Sequence, residues 1–223
     1  LQLWFSIGST YSYLSVQRVD RVAEKEGVKV RWRPFNIRTI TSEMKNRPFV
    51  GKPVKAAYMW RDLERRCSLY GLEARLPAPY PLDDIELANR IAVVGQEEGW
   101  GPSYVKETYR RWMVNGEPAG SEPNVSTSLL AIGQEPDRVV SLAKSDRIGE
   151  QLVEATNEAR ELGIFGAPSF IARGELFWGD DRLPDALQWL KHGTLASTSP
   201  SLEARIAPPR RLVPGVERRR GAR

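Results

Sequence analysis

Cysteine and histidine are almost missing from this chain, whose 223 residues hold one of each, Cys67 and His192. A single cysteine excludes an intramolecular disulfide and any CxxC redox pair. With one histidine beside it, no Cys/His zinc site can be assembled, and no metal is expected. Cys67 sits in RDLERRCSLYG, a helical pattern, and reads as a partly buried, inert thiol. His192 stands beside Gly193 after the last helical pattern and reads as a C-terminal capping residue, so a Ser-His-Asp triad is not expected. Long apolar runs are absent too. Nothing approaches the roughly 18 residues that cross a bilayer, and no signal-like segment opens the chain. These absences lead to the expectation of a soluble, cytoplasmic protein without membrane contact.

Net positive charge is absent from the body and gathered at the end. Residues 195–223 hold seven arginines, Arg205, Arg210, Arg211, Arg218, Arg219, Arg220 and Arg223, against Glu203 and Glu217, which accounts for the whole formal charge of +5. The remainder is neutral and shows no basic stripe interleaved with aromatics, so a nucleic-acid surface is not expected there. With Pro200, Pro208, Pro209 and Pro214 and few large apolar groups, residues 194–223 read as a flexible basic extension. A weak contact with RNA or an acidic surface is the only nucleic-acid role left to it.

Hydrophobic residues make up 41% of the chain, enough for a buried core. QLWFSI (2–7) is a short apolar run of strand formers. A Gly-Ser-Thr break follows, then a helical pattern over 11–26 with Val16, Val19 and Ala23 on one face, closed by Gly27. Val28, Val30 and Trp32 alternate with Lys29, Arg31 and Arg33 up to Pro34, which predicts a half-exposed strand. Helical patterns then run over 55–70, from a predicted capping box of Asp83 and Glu86 onward, over 103–114, near 126–132 and 136–143, and from Ile148 to Leu162. PSFIAR (168–173) and ELFWG (175–179), joined at Gly174, predict a hairpin. A terminal helix carries Leu183, Leu187 and Leu190, with Asp180 or Asp181 at its start. The order is βαβ, a helical block, then ββα. Removing the block leaves the thioredoxin-like core, an α/β fold with a large all-helical insertion. The expected division is 1–37 with 164–193 as core, 38–163 as insertion and 194–223 as tail.

Four features carry candidate chemistry, and each has a plain structural alternative. Ser9 lies where the first strand meets the first helix; it is either an ordinary N-cap or a hydroxyl in a setting that stabilises anions. Pro168 opens a strand, either in trans as an edge residue or in cis, which would expose the N–H and C=O of Ala167 to an added extended peptide. Asp180 and Asp181 can cap a helix or hold an ammonium group. Asn46, before the 55–70 helix, is a turn residue with little meaning alone.

Together these segments resemble the 2-hydroxychromene-2-carboxylate isomerase branch of the DsbA-like thioredoxin family, close to kappa-class glutathione transferases. The resemblance rests on FSIGSTYSYL, NRPFVGKPVKAAYMWRDLERR and GIFGAPSFIARGELFWGDDRL in their order and spacing, and covers about residues 2–192. It implies glutathione as cofactor, with Ser9 replacing the first cysteine of the redox motif and hydrogen-bonding the cofactor's sulfur. It further implies that Asn46 contacts the tripeptide, that Ala167, before Pro168, pairs with the cysteinyl backbone, and that Asp180 and Asp181 receive the γ-glutamyl ammonium. A homodimer is expected on the same ground. The implied reaction is reversible thiolate addition to an unsaturated aromatic acid of aromatic catabolism, with ring opening, rotation and expulsion of the thiolate. Ser9 is then a thiolate stabiliser, because no histidine base is near enough to make it a nucleophile. Tyr11, Arg33 and Arg38 are candidate substrate contacts, the arginines for a carboxylate. Thr10 departs from the Ser-Pro-Tyr usual in the family, which puts the substrate in question. A kappa-type transferase conjugating electrophiles and a non-catalytic thioredoxin-like binding protein are the alternative readings.

Overall fold

The structure, a computed structural model, describes residues 1–46, 48–49 and 51–195. The expectations for the tail lie outside the described residues. Four strands form one mixed sheet in the order β2-β1-β3-β4. The central strand β1 (Gln2–Phe5) pairs in parallel with β2 (Arg31–Pro34), Leu3 opposite Trp32, and antiparallel with β3 (Ser169–Ala172), Leu3 opposite Phe170. β3 forms a hairpin with β4 (Glu175–Trp178). Leu3, Trp4 and Phe5 are consecutive and all buried, because both faces of β1 are covered. Leu3 and Phe5 join the main core with Leu14, Val19 and Phe170. Trp4 points the other way, into a second core with Phe35, Ile40, Ala159, Ile164 and Ile171.

Helix α1 (Ser12–Lys25) crosses from β1 to β2. Between β2 and β3 come α2 (Ile37–Glu43), α3 (Pro53–Tyr70), α4 (Ile85–Glu98), α5 (Gly101–Arg110), α6 (Asn124–Ala131), α7 (Pro136–Ala143) and α8 (Asp146–Glu161); α9 (Leu183–His192) ends the described fold. This is the thioredoxin-like core with a helical insertion.

The inserted helices hold the turn between β1 and α1 in place. Asn89 of α4 accepts the Ile7 N–H at 2.8 Å and donates to the Ile7 carbonyl at 2.9 Å. The Tyr109 hydroxyl of α5 lies 2.8 Å from the Ser6 carbonyl and 3.0 Å from that of Ser9. Asn89 and Tyr109 are fully buried, so these bonds form away from water, where an unpaired partner costs about 1–3 kcal/mol. Gly8 has φ +129, and a Cβ there would sit 2.9 Å from the Ile85 side chain of α4. Glycine is required by both conformation and space.

Several sequence expectations shift. α4 is capped by Asp84, whose carboxylate accepts from Leu87 N–H at 2.9 Å, not by Asp83; Glu86 instead pairs with Arg90 one turn on. α2 was not predicted: it is two turns long, buries only Ile40 and is capped by Asn36, so it carries little periodicity. β2 is shorter than its alternating pattern, and Arg33 is buried rather than solvent-facing. Its guanidinium stacks 4.7 Å from the Trp4 ring centroid and pairs with Glu158 of α8, which offsets the cost of burying it. After α5 the chain makes a π-helical turn over Arg111–Asn115. His192 is the last residue of α9, and the cap is Gly193, with φ 68. Asp180 and Asp181 do not cap α9: they lie in a 3-10 turn, Asp180–Arg182, and Arg182 occupies the cap position.

Candidate functional site

The start of α1 meets the β3 and β4 ends of the sheet at one spot. The Ala167–Pro168 peptide is cis, and Ser9 touches it directly: its hydroxyl donates to the Ala167 carbonyl at 2.6 Å and accepts the Ser12 N–H at 3.3 Å. Ser9 thus takes the first N–H of α1 across the turn that leads into it, Tyr11 being the residue at the cap position, and ties together two segments 158 residues apart. Thr10, its neighbour, turns its hydroxyl inward, donating to the Met59 sulfur at 3.1 Å, and is almost fully buried. The extra hydroxyl therefore leaves the site for the core.

Beyond Ala167 opens a cavity of about 260 Å³, lined by Tyr11, Leu14, Asp62, Arg66, Trp178 and the Gly179-Asp180-Asp181 run, besides Ala167 and Pro168. Ser9 borders it through Ala167. Two other hollows, of about 210 and 350 Å³, lie along β2 and away from Ser9, and the larger takes in Arg33.

Asp180 is the most constrained group. It is 4% exposed, and its Oδ1 accepts from Ser15 Oγ at 2.9 Å and from Arg18 Nη2 at 3.0 Å and Nε at 3.2 Å. Arg18 also donates to the Asp180 carbonyl at 2.7 Å and stacks 4.0 Å from the Tyr70 ring centroid. The other carboxylate oxygen, Oδ2, is buried with no hydrogen-bond partner. An acceptor left in this state at the wall of a cavity is one that a ligand donor would satisfy. Asp181 is exposed, 3.4 Å from Arg182.

Tyr11 donates to Asp62 Oδ2 at 3.0 Å; burial, and then the Asp62 charge, push its pKa up, so the phenol stays protonated. Trp178 and Phe165 meet edge to face, ring centroids 4.8 Å apart, and both stay largely exposed at the rim. The indole lies against the backbone of Gly166, where a Cβ would come within 2.1 Å of its nitrogen. Cys67, one turn beyond Leu63 on α3, is buried, and desolvation followed by the Asp180 charge pushes its thiol up to about 11. It matches the inert thiol expected.

Of the residues named from sequence, Ser9, Tyr11, Ala167, Pro168, Asp180 and Asp181 converge. Three do not. Arg33 is spent on Glu158 and Trp4 on another side of the sheet. Arg38 donates to the backbone carbonyls of Leu82 and Asp83, pinning the loop before α4. Asn46 is exposed, accepts from Lys52 Nζ at 3.2 Å and is not part of the cavity wall. Asp62 and Arg66 were missed, and Trp178 stood in the segment ending FWGDDRL without a role of its own. Asp62 and Arg66 sit on α3 beside the buried Met59, Leu63 and Cys67, so they border its apolar stripe. That placement was the available signal.

A cis proline opening a strand, set against a helix that starts with serine, on a β2-β1-β3-β4 sheet with inserted helices, defines a thioredoxin-like protein without a redox cysteine. The chain belongs to the DSBA-like thioredoxin domain family, which it matches over residues 1–191. It is similar to the 2-hydroxychromene-2-carboxylate isomerase of Sphingobium xenophagum, 24% identical over 186 residues that cover 82% of this chain and 93% of the relative. It is also similar to glutathione S-transferase kappa 1 of Caenorhabditis elegans, 25% identical over 205 residues, 84% of this chain and 90% of the relative. A solved 2-hydroxychromene-2-carboxylate isomerase shares the fold, with a TM-score of 0.76 at 23% identity, over 85% of this chain and 93% of that one. Among the described residues no cluster of metal-ligating side chains occurs, and no helix is long and apolar enough to cross a membrane.

Proposed function

We propose that this protein is a glutathione-dependent isomerase of the 2-hydroxychromene-2-carboxylate isomerase type, acting on an unsaturated aromatic acid. The observation that carries the reading is the Ser9 hydroxyl at the start of α1, bonded to the carbonyl that precedes the cis proline. The residues present fit glutathione. The Ala167 N–H has no partner among the described residues, and Asp180 Oδ2 is an unsatisfied acceptor for an ammonium group. When bound, glutathione supplies a sulfur nucleophile that adds to a conjugated carbon and is later expelled, so nothing is oxidised overall.

The protein's part is to make the sulfur anionic and to hold the reactants still. A free thiol of pKa about 8.5 is only about 3% ionised at pH 7. A hydroxyl donor at the positive end of a helix favours the charged form. Ser9 has one proton to give, and the Ala167 carbonyl now holds it. To serve a thiolate the hydroxyl must turn from that carbonyl, which frees Ala167 to accept from a ligand N–H. Ser9 and Ala167 thus exchange partners, and most of the bond energy is conserved. Asp180, neutralised by Arg18 on one oxygen, keeps the other for a cationic donor. The exposed Trp178 face offers apolar area to an aromatic acceptor.

A kappa-type transferase would need the same site, and the similarity to kappa glutathione transferases supports that second reading. Incubation with glutathione and an unsaturated aryl keto acid separates the two. An isomer with glutathione unchanged supports the isomerase; a stable conjugate supports the transferase. A parent protein that binds no glutathione at millimolar concentration in a calorimeter would overturn both.

A further inference from the structure

Among the described residues a single cation, Arg66, lines the cavity beyond Ala167; the charges of Asp62 and Asp181 reach it, but neither carboxylate pairs with it directly. Arg66 stands on α3 one turn beyond Asp62. At that i, i+4 spacing opposite charges on a helix ordinarily pair. Here Asp62 Oδ2 accepts the Tyr11 hydroxyl instead, and Arg66 forms no ion pair among the described residues. Its one hydrogen bond runs from Nη1 to the Tyr70 hydroxyl at 3.3 Å, long for such a bond. The other arginines near the site or suggested for it are committed: Arg18 to Asp180, Arg182 to Asp185, and, away from the cavity, Arg33 to Glu158 and Arg38 to two carbonyls. A guanidinium presents five N–H donors in a rigid fork. Apart from the Tyr70 bond, the donors of Arg66 have no acceptor among the described residues, and the group is half-buried at a cavity wall.

The acceptor that matches this fork is a carboxylate, taken through two parallel hydrogen bonds. The same cavity is lined by Asp180, whose charge is taken by Arg18 but whose Oδ2 lacks a hydrogen-bond partner, and by the exposed Asp181. A cavity built this way reads a ligand that is anionic at the α3 side. We propose that Arg66 is the carboxylate anchor of the site, a role the sequence suggested for Arg33 or Arg38. Two carboxylates fit that chemistry: the α-carboxylate at the γ-glutamyl end of glutathione, beside the ammonium that Asp180 would take, and the acid group of the acceptor. The first rests on the glutathione reading given above; the second does not.

The test compares the parent with Arg66→Gln and Arg66→Lys, each first checked for an unchanged thermal midpoint. The probes are two pairs, each a carboxylate and its neutral counterpart. Glutathione and its γ-glutamyl α-carboxamide are titrated by calorimetry. An unsaturated aryl keto acid and its methyl ester are titrated without glutathione by tryptophan fluorescence. Charge-assisted bonds of this kind correspond to roughly a 10- to 100-fold change in affinity. Arg66→Gln is expected to lose that factor for one carboxylate and to bind its neutral counterpart as the parent does, with Arg66→Lys in between because it keeps the charge and loses the fork. A loss on glutathione assigns the anchor to the γ-glutamyl end, and a loss on the keto acid assigns it to the acceptor. A parent that ignores glutathione yet prefers the keto acid to its ester overturns the glutathione reading and leaves the anchor standing. The proposal fails if Arg66→Gln holds both carboxylates within about twofold of the parent. It also fails if the parent prefers neither carboxylate to its neutral form, a result that needs no variant.

Discussion

Replacing Ser9 by alanine should separate a structural tie from a thiolate stabiliser, because the two roles predict different sizes of effect in different assays. The hydroxyl makes two bonds, a short one to the Ala167 carbonyl at 2.6 Å and a longer one from the Ser12 N–H at 3.3 Å. Removing both costs the bond at the helix start and the tie at a half-buried site, about 1–2 kcal/mol. For a chain of this length that is a fall of roughly 2–8 °C in Tm. The chemical role is read on bound glutathione, whose thiolate absorbs in the ultraviolet and can be titrated against pH. With Ser9 present the bound thiol should titrate one to two units below the free value of about 8.5, each unit corresponding to roughly 1.4 kcal/mol. The sign follows by linkage. A thiol whose pKa is lowered in the complex binds more tightly as pH rises from the bound pKa to the free one, and the affinity levels off above it. In Ser9→Ala that rise should flatten. S-methylglutathione, with no proton to lose, should bind the variant at least as well as the parent, since the Ala167 carbonyl is already free. The reasoning is refuted if the bound thiol in Ser9→Ala titrates within about 0.3 unit of the parent's. Ser9 would then be a structural tie, nothing more.

Thr10→Val should leave the bound thiol's pKa unchanged and cost no more than about 1 kcal/mol in urea, because its hydroxyl faces the Met59 sulfur; a shift as large as that of Ser9→Ala would move the thiolate contact to Thr10. Asp180→Ala strands the Arg18 guanidinium at 7% side-chain exposure and should cost about 3–5 kcal/mol in chemical denaturation. A loss under about 1 kcal/mol would mean that water reaches Arg18 freely. Cys67, its thiol pushed up to about 11 by burial first and Asp180 second, should resist alkylation at pH 8 until denaturant opens the fold. Because the folded pKa is the higher one, the protonated thiol's contribution to stability is present below the unfolded pKa and lost as pH rises toward 11. Rapid alkylation of the native protein would show that α3 opens locally.

What could be read from the sequence follows how far apart the interacting residues are. The α1 and α8 faces, the β3–β4 hairpin and the glycine stops depend on neighbours within a few positions, and their signals survive in the chain. The sequence put Asp180 among the site candidates but could not give its setting, because nothing near it announces Arg18, 162 positions away. Arg33 fails for the same reason, since Glu158, its partner, belongs to a helix folded back from 125 residues later. Thr10 adds a hydroxyl next to Ser9, and nothing near it announces the Met59 sulfur, 49 residues on, that it bonds. In each case a polar side chain had two destinations, solvent or a distant partner, and local pattern cannot choose between them. The same logic runs forward to Arg66. Its i, i+4 neighbour Asp62 would have been its expected partner from the sequence; in the fold Asp62 Oδ2 takes the Tyr11 hydroxyl, 51 residues before it, and Arg66 lines the cavity without a direct ion pair to it. The site is therefore defined as much by which charges are already spent as by which residues surround it.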